Sequence, residues 1–483
     1  MKKSIKFIAL LSAGLTISCS SDDNSNSGAD NTQHVELKNH SVTPHLLTTH
    51  PSFEHLSIYS LLSSEDTLPE SPNFVYGSMA DGCGLLNNAD GTYTLINNIE
   101  ADYSIARITL DKTFKPVKGE YILNSVATGN TAQCSGSLVT PEEHGFGPLY
   151  LSGGEWGGNS TNVFATNPFK DVAAASTATT LPAMGQWTIE NAVPLHKNAY
   201  SGKTIVLIGD DSHGDAGGQL VMYKSDVVGD LDNGKLYALK MVNSDIKDND
   251  MTDGNEYDVE FVELVESTYD ALNTECVSKN VMAFNRVEDI DYRKDGSYRE
   301  IYFNATGRTA YNDTRSKYGR VYRLILDESN PLTGKIRIEL DGDDLAGKAK
   351  NFHSPDNILV TENYAYIQED PNGYDDDVNK QHDAYLYQYN LNTKEMKVVL
   401  ESAQRTPTAI DGGYASYNDR WGKWELTGMI DISENVGIEG TFLLIQQAHS
   451  WKNDAFLNPD GAGNNQDSSN EGSILTVIQG LEL

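Results

Sequence analysis

Acidic side chains that stand at predicted strand ends or in short uncharged segments are the residues of this sequence best suited to chemistry. The set comprises Glu100, Glu155, Glu190, Asp210, Asp211, Glu288, Asp356, Glu369, Asp370 and Glu425. If the strands that carry these acids converge, their mutual repulsion demands cations, and hard carboxylate oxygens favour Ca²⁺ or Mg²⁺. The alternative for each acid taken singly is that it ends a strand and discourages edge-to-edge pairing.

The cysteines add a second kind of metal ligand. The sequence has four, Cys19, Cys83, Cys134 and Cys276. If Cys19 is modified, three remain, and an odd number leaves at least one thiol outside any intramolecular disulfide. A Cys83–Cys276 bridge would leave Cys134, but the sequence does not establish that pairing. A thiolate from Cys134, which stands in a small polar loop, would favour a transition metal at one position, and a buried inert cysteine is the alternative.

The elements that position these residues are short strands. Alternating or apolar runs such as Thr204–Ile208 and Val321–Leu326 are bounded by turn dipeptides such as Asn233-Gly234, and they recur over more than 400 residues. This pattern predicts an all-β chain and favours a β-propeller with long insertions between blades over a single sandwich. Because propeller strands surround an axis, acids at their ends would meet there.

The amino terminus has the composition of a targeting segment and a tether. Basic residues precede a short apolar run within residues 1–19, which is too short to span a bilayer. The run ends at Thr16-Ile17-Ser18-Cys19 before Ser20-Ser21-Asp22-Asp23, which resembles a bacterial lipobox followed by the acidic export tag of Bacteroidetes surface lipoproteins. We therefore expect a signal peptide over 1–19 with lipidation at Cys19, a disordered tether over 20–42, and one propeller domain over 43–483. An ordinary secretory signal is the alternative.

The acidity of the chain restricts its partners. The sequence contains 69 Asp and Glu against 36 Lys and Arg, for a formal charge of -33, which argues against nucleic acid as a partner. An anionic ligand would bind only at a place where the local electrostatic potential is positive. Candidates for contacting a phosphate group are Arg286, Arg308, Arg320 and Arg405. For each arginine the alternative is a solvent-facing ion pair.

Several blocks between Gly77 and Trp451 resemble the PhoX-type alkaline phosphatases. In chain order the blocks are Cys134–Pro141 with Tyr150–Ser152 and Glu155, Ile208–Asp211, Gly229–Tyr237, Arg286–Asp289, Gly319–Leu324, Ser354–Ile358, Gln368–Asp370 and Glu425–Gly428. One departure is Ile99, which stands where the family usually has a histidine before Glu100.

The resemblance implies a six-bladed propeller with an axial site that holds two Fe³⁺ ions bridged by an oxo group, together with Ca²⁺. Carried over position by position, Cys134 would be the thiolate ligand of iron. The most probable carboxylate ligands would be Glu155, Glu190, Asp210, Glu288, Glu369 and Glu425, with Glu100, Asp211, Asp356 and Asp370 as further metal-site candidates. Cys134, Glu155, Glu190 and Glu288 would form the catalytic set, with Arg286, Arg308 and Arg405 as substrate contacts.

The expected activity is release of phosphate from extracellular phosphomonoesters by a water-derived nucleophile, at the outer membrane surface, by a monomer that touches the membrane only through its lipid. Two other interpretations stay open. The same scaffold could hydrolyse phosphodiesters or phosphotriesters, because the pocket decides how many ester arms are admitted. A noncatalytic propeller, stabilised by calcium, could bind a glycan or a protein.

Overall fold

The computed structural model describes residues 35–156, 161–243, 245–308, 314–371, 380–463 and 469–483. The predicted signal peptide, the lipidation site Cys19 and the first part of the predicted tether lie outside these residues. The described end of the tether makes contacts: Val35 and Leu37 pack against an apolar cluster, and the His40 amide donates to the Ser60 carbonyl (2.8 Å). Within the described ranges, no helix is long and apolar enough to cross a membrane.

Two strands, β1 (Leu47–Thr49) and β2 (Ser57–Ser63), precede six antiparallel units that follow in chain order. Unit 1 is β3 (Ala80–Asn87), β4 (Tyr93–Ile99), β5 (Ser104–Leu110) and β6 (Pro116–Leu123); unit 2 is β7 (Gln133–Val139), β8 (Leu149–Gly154) and β9 (Val163–Thr166). Unit 3 is β10 (Ile189–Pro194), β11 (Thr204–Asp210), β12 (Leu220–Ser225), β13 (Lys235–Met241) and β14 (Tyr257–Leu264). Unit 4 is β15 (Val287–Tyr292), β16 (Glu300–Ala305), β17 (Arg320–Leu326) and β18 (Thr333–Asp341).

Unit 5 is β19 (Pro355–Val360), β20 (Tyr364–Glu369), β21 (Tyr385–Asn390) and β22 (Met396–Ser402), with β1 at its outer edge. Unit 6 is β23 (Glu425–Asp431), β24 (Thr441–Lys452) and β25 (Glu471–Gln479), with β2 paired to β25. The helices are α1 (Ser125–Thr128), α2 (Pro141–His144), α3 (Tyr269–Lys279), α4 (Pro407–Asp411) and α5 (Ser433–Val436).

The units close into a ring. The first strand of each unit contacts the first strand of the next, and β23 contacts β3. Units 3 and 4 share one nine-stranded sheet because their outer strands β14 and β18 pair. The pairing of the amino-terminal β2 with the carboxy-terminal β25 completes unit 6 from both ends of the chain. This arrangement confirms the predicted all-β propeller.

The core is divided among the interfaces between units. Apolar clusters join units 1 and 2, 2 and 3, 3 and 4, 4 and 5, 5 and 6, and 6 and 1. The β11 sequence, Thr204 to Asp210, shows why: it is buried along its whole length, and its β-branched residues suit a strand that is covered on both faces. Burial between every pair of neighbours holds the first strands of the units around the axis, where the predicted site residues lie.

Candidate metal centre on the propeller axis

A β-bulge near the start of each first strand positions the candidate ligands. In unit 3, for example, Ile189 pairs with Asp210 and Ala192 with Ile208, so that Glu190 and Asn191 lie opposite one residue of β11. The same irregularity occurs in the first pairing of every unit. The first bulged residues of units 1 to 5 are Asp81, Cys134, Glu190, Glu288 and Asp356. Because a bulge re-aims side chains, this repeated feature accounts for the convergence of these ligands.

These side chains come together in three overlapping groups, called here the axial cluster. Asp81, Glu100 and Cys134 form the first group, Cys134, Glu155 and Glu190 the second, and Glu190, Glu288 and Asp356 the third. Within each group the potential ligand atoms lie within 4.8 Å of one another. Cys134 and Glu190 each belong to two groups, so they link the three groups into one continuous array.

Glu100 and Glu155 reach the cluster from the ends of the second strands. Each follows the residue that pairs with the start of the first strand: Glu100 comes after Ile99 and Glu155 after Gly154. The equivalent positions in units 3 and 5 are Asp211 and Asp370. Units 1, 2, 3 and 5 therefore each present an acid at this second-strand position as well as a candidate ligand at the first-strand bulge. In unit 4 the second-strand position is Thr306, which follows Ala305.

Burial and crowding disfavour the ionised form of the cluster. Burial raises the pKa of the Cys134 thiol and of the six carboxyl groups of the cluster, and neighbouring carboxylates raise these pKa values further. The same two causes raise the pKa of the nearby Glu425 carboxyl group. The Cys134 thiol also contacts a Glu155 carboxylate oxygen. Such a set of groups is stable as anions only beside compensating cations.

Arg286 supplies one such cation at the edge of the cluster. Its Nε donates to Asp211 Oδ1 at 2.7 Å, and its Nη2 lies 2.9 Å from Glu288 Oε1. The residue has a positive φ of 65°, an unusual conformation for a non-glycine residue, which functional sites often contain. The predicted substrate contact Arg286 therefore lies in the site.

His449 is a second basic group near the cluster. Its Nε2 lies 3.8 Å from Glu425 Oε2, and its Nδ1 lies 2.7 Å from Glu471 Oε2. The hydrogen bond and the charge of Glu471 outweigh burial and raise the pKa of His449. The Glu471–His449 pair thus places a carboxylate-oriented imidazole beside Glu425.

A hydrogen-bonded chain crosses the axis next to these groups. Ser135 Oγ donates to Glu190 Oε1 (2.6 Å) and accepts from Asn357 Nδ2 (2.6 Å). The Thr427 hydroxyl lies 2.6 Å from Asn357 Oδ1 and 2.5 Å from Asp81 Oδ1. These contacts connect the first and third groups through side chains from units 2, 5 and 6, and they fix one oxygen of Asp81 and one of Glu190.

Two predicted ligands face away from the axial cluster. Asp210 Oδ1 accepts hydrogen bonds from the Thr188 amide and the Ser212 hydroxyl. Glu369 accepts hydrogen bonds from the His353 and Tyr385 amides and from the Tyr387 hydroxyl. Their neighbours Asp211 and Asp370 lie on the cluster side, because successive residues of a strand point to opposite faces.

The other predicted arginines also differ in position. Arg308 Nη1 lies 3.0 Å from His213 Nδ1, two residues beyond Asp211 in the chain. Arg405 instead makes an ion pair with Asp383 at 3.3 Å and packs 3.7 Å over the Trp421 ring. The structure thus places Arg405 in the ion pair that the sequence left open as an alternative. Arg320 also makes an ion pair, with Asp248 at 2.8 Å, but this pair is buried and does not face solvent.

Sequence analysis did not predict Asp81 or His449. Asp81 lies between Ala80 and Gly82 in a segment without other charges, which is the same signal that identified Glu425. That Asp81 is the first bulged residue of unit 1 becomes apparent only from the pairing of β3 with β4, compared with the first strand pairing of the other units. The three cysteines among the described residues are buried and free, so the disulfide considered for Cys83 and Cys276 is not formed.

The donor set fits metal ions. Six carboxyl groups and one thiol, all buried except the half-buried Glu155, lie at mutual distances at which several can share one ion. Carboxylate oxygens are the ligands of Ca²⁺, and a thiolate beside them suits a transition metal such as iron. The residues that would hold such ions are those of the three groups.

Comparisons with known proteins identify no family. No protein-family model matches the chain, and no curated protein matches it. Among solved structures, an aldose sugar dehydrogenase from Streptomyces coelicolor is 11% identical at a TM-score of 0.35, covering 87% of this chain and 98% of its own. An α-L-arabinofuranosidase from Fusarium graminearum is 10% identical at a TM-score of 0.37, covering 83% and 92%. At these scores and identities, neither likeness bears on what this chain binds.

Proposed function

We propose that this protein is a metal-dependent phosphomonoesterase of the PhoX type, loaded with Ca²⁺ and Fe³⁺ on the propeller axis. The observation that carries the proposal is the axial cluster, in which a cysteine and six carboxyl groups lie in three linked groups beside the half-buried Arg286. The ordered blocks that resemble PhoX phosphatases contain Cys134, Glu155, Glu288 and Asp356 of this cluster. The lipobox-like segment at Cys19 further supports a lipoprotein on the cell surface.

Different residues of the site would bind the metal ions and the phosphate group. The three groups would hold the cations, and Arg286, already between Asp211 and Glu288, would bind nonbridging oxygens of the phosphate group. When bound, cations in this position would neutralise charge on the phosphoryl group and lower the pKa of water. Because the cluster is acidic, the protein without metal should bind phosphate esters poorly.

Phosphate release from p-nitrophenyl phosphate by the purified protein tests this function. We expect release that chelation abolishes and that added Ca²⁺ restores, while iron remains in the protein on elemental analysis. An absence of chelator-sensitive release across pH 6 to 11 would refute the phosphatase assignment. Rates for mono-, di- and triesters of the same aryl alcohol separate a phosphomonoesterase from the other esterases.

The Cys134→Ala variant tests the thiolate ligand. A ferric–thiolate bond should colour the protein, and the variant should lose both this absorption and the iron. Cys276→Ala is the matched control, because Cys276 is also a buried free thiol but lies on α3. Calcium without iron or colour in the wild-type protein would instead support the noncatalytic surface propeller.

A further inference from the structure

In units 1 to 5, one residue of the second strand lies opposite the bulge of the first strand. In unit 1 this residue is Asn98, which stands between the partners of Cys83 and Ala80 on either side of the bulge. We call this position the spacer. The spacers of units 1 to 5 are Asn98, Gly153, Gly209, Asn304 and Gln368.

The two glycine spacers show what this position contacts. A Cβ atom on Gly153 would lie 2.5 Å from the Ile189 carbonyl oxygen, at the start of the bulge in unit 3. A Cβ atom on Gly209 would lie 2.4 Å from the Glu288 carbonyl oxygen, in the bulge of unit 4. Both distances are too short for a real Cβ atom, so glycine lets the neighbouring backbones approach. The spacer of one unit therefore faces the ligand-bearing bulge of the next unit.

Asn98 makes this contact through hydrogen bonds. Its Nδ2 donates to the carbonyl oxygens of Cys134 (2.6 Å) and Ser135 (3.1 Å) in the bulge of unit 2. Both donor hydrogens of the amide are used in this way, and the opposite amide orientation would place an oxygen against two carbonyl oxygens. Asn98 is fully buried, so these bonds lie inside the protein, where an unmade hydrogen bond is costly.

Asn304 repeats the arrangement between units 4 and 5. Its Nδ2 donates to the carbonyl oxygens of Asp356 (2.6 Å) and Asn357 (3.1 Å) in the bulge of unit 5. Asn304 is also fully buried. The same pair of bonds thus occurs at two places in the ring, each time to the first bulged residue and its successor.

Closure of the ring does not require an asparagine at the spacer. Glycine occupies it in units 2 and 3, and Gln368 in unit 5 instead accepts a hydrogen bond from the Met429 amide at 3.1 Å. The asparagines are therefore particular to the bulges that begin with Cys134 and Asp356. The carbonyl group and the side chain of a residue share one Cα atom, so a bond that fixes the carbonyl also restricts the direction of the side chain.

We propose that Asn98 and Asn304 are positioning residues, which set the direction of the Cys134 thiol and of the Asp356 carboxylate toward the metal ions. The inference rests on the proposed function for the identity of those ions. Cys134 belongs to the two groups that contain the thiol, and Asp356 belongs to the group of carboxylates alone. Loss of each asparagine should therefore affect a different part of the axial cluster.

Alkylation of Cys134 by iodoacetamide in the presence of chelator tests the positioning without any metal. In Asn98→Ala the bulge of unit 2 loses two hydrogen bonds. Cys134 should then react about tenfold faster relative to the buried Cys276 of the same molecule, as measured by mass spectrometry of the labelled peptides. A general loss of stability would instead raise the labelling of both cysteines together.

Asn304→Ala is the matched control for alkylation, since it loses the same two hydrogen bonds in unit 5. Its labelling ratio should stay within about twofold of the wild type. An unchanged ratio in Asn98→Ala, or equal changes in both variants, would overturn the proposal. If the alanine variants do not fold, Asn98→Leu and Asn304→Leu, which keep the side-chain volume without the donors, give the same comparison.

Titration with Co²⁺ and with Ca²⁺ extends the comparison to the metal-bound protein. Thiolate-to-cobalt charge transfer absorbs light and needs a sulfur ligand. Asn98→Ala should weaken this absorption and lower the Co²⁺ affinity about tenfold, whereas Asn304→Ala should keep the absorption and lower the Ca²⁺ affinity about tenfold. Loss of the absorption in both variants or in neither would overturn the separate roles. If neither ion binds the wild type, the metal-dependent function fails, and the alkylation ratio alone decides whether the positioning stands.

Discussion

Replacing Glu190 by glutamine should weaken metal binding yet stabilise the protein once metal is removed. A carboxylate oxygen of Glu190 lies within 4.8 Å of a carboxylate oxygen of Glu155 in one group. In another group it lies within 4.8 Å of carboxylate oxygens of Glu288 and Asp356. At an effective dielectric of about 20, two carboxylates at this distance repel by about 3.5 kcal/mol. Three such pairs would cost about 10 kcal/mol if all were ionised, which is comparable with the whole stability of a typical domain.

The sign of the pH dependence follows from the raised pKa values. Burial and neighbouring carboxylates raise the pKa of Glu190 in the folded state above its pKa in the unfolded state. The contribution of Glu190 to the free energy of unfolding is therefore fully present below the unfolded-state pKa and is lost as the pH rises through the folded-state pKa. Wild-type protein in chelator should therefore melt at progressively lower temperature between pH 5 and pH 9. The metal-loaded protein should lose less, because the cations bind the ionised form.

The size of the stabilisation by Glu190→Gln can be estimated by assuming that one neighbouring carboxylate is ionised in the chelated protein. Relief of a single pair, about 3.5 kcal/mol, should raise the melting temperature of the chelated variant at pH 8 by about 3.5 °C, given an unfolding entropy of about 1 kcal/mol per kelvin for a chain of this length. Glutamine can still accept the Ser135 hydrogen bond, so little packing is lost. Differential scanning calorimetry with and without chelator measures both effects.

Glu369→Gln is the matched control for this experiment. Glu369 is equally buried, but it accepts hydrogen bonds from two backbone amides and from Tyr387, which a glutamine NH₂ group would oppose. The control should therefore melt below the wild type in chelator. If the chelated Glu190→Gln protein also melts below the wild type, or if chelated wild-type stability does not change with pH, the electrostatic reasoning is refuted.

Three further substitutions probe single contacts. Thr427→Val removes the hydroxyl beside Asp81 and should weaken metal affinity about tenfold, measured by competition with a chromogenic chelator. Arg286→Lys loses the planar fork that bonds Asp211 and that would also bind the phosphate group under the proposed function, so KM for p-nitrophenyl phosphate should rise about tenfold, with a smaller change in kcat, in steady-state kinetics. Gly428→Ala places a Cβ 2.6 Å from the Asp81 carbonyl oxygen at a φ of 59° and should lower the free energy of unfolding by about 1 to 3 kcal/mol in denaturant titrations.

The architecture was predictable because it depends on patterns that are local in sequence. Short strands such as Thr204–Ile208 and turn dipeptides such as Asn233-Gly234 recur, and the strand at Thr204–Asp210 forms as expected. Helix α3 was missed, since its charged and polar residues show no clear apolar period. The contacts of Val35 and Leu37 were also missed, because isolated apolar residues in a polar segment give little signal of packing.

The sequence identified pairs of adjacent acids at the site, but not which acid of each pair faces the axis. Asp210-Asp211 and Glu369-Asp370 each present two acids, and alternation along a strand requires that only one of them faces the axis. The sequence does not show which one, because the answer depends on the bulge one strand away, as the pairing of Ile189 with Asp210 shows. Asp81 was missed for the same reason: its orientation is set by register and not by its neighbours in the chain.

The closure of the ring explains how the fold tolerates an acidic axis. Repulsion within the axial cluster pushes the first strands of the units apart, and a ring is weakest where the two chain ends meet. Here β2 pairs with β25 from Ser57–Gln479 to Ser63–Ile474, so separation of unit 6 from its neighbours requires loss of a whole strand pairing. Ser78 and Ala80, at the start of unit 1, also bond to Glu471 and Ser473 of the same strand β25. Strand β2 thus holds units 6 and 1 together at the interface that contributes Asp81 and Glu425, which allows the axis to retain closely spaced acids.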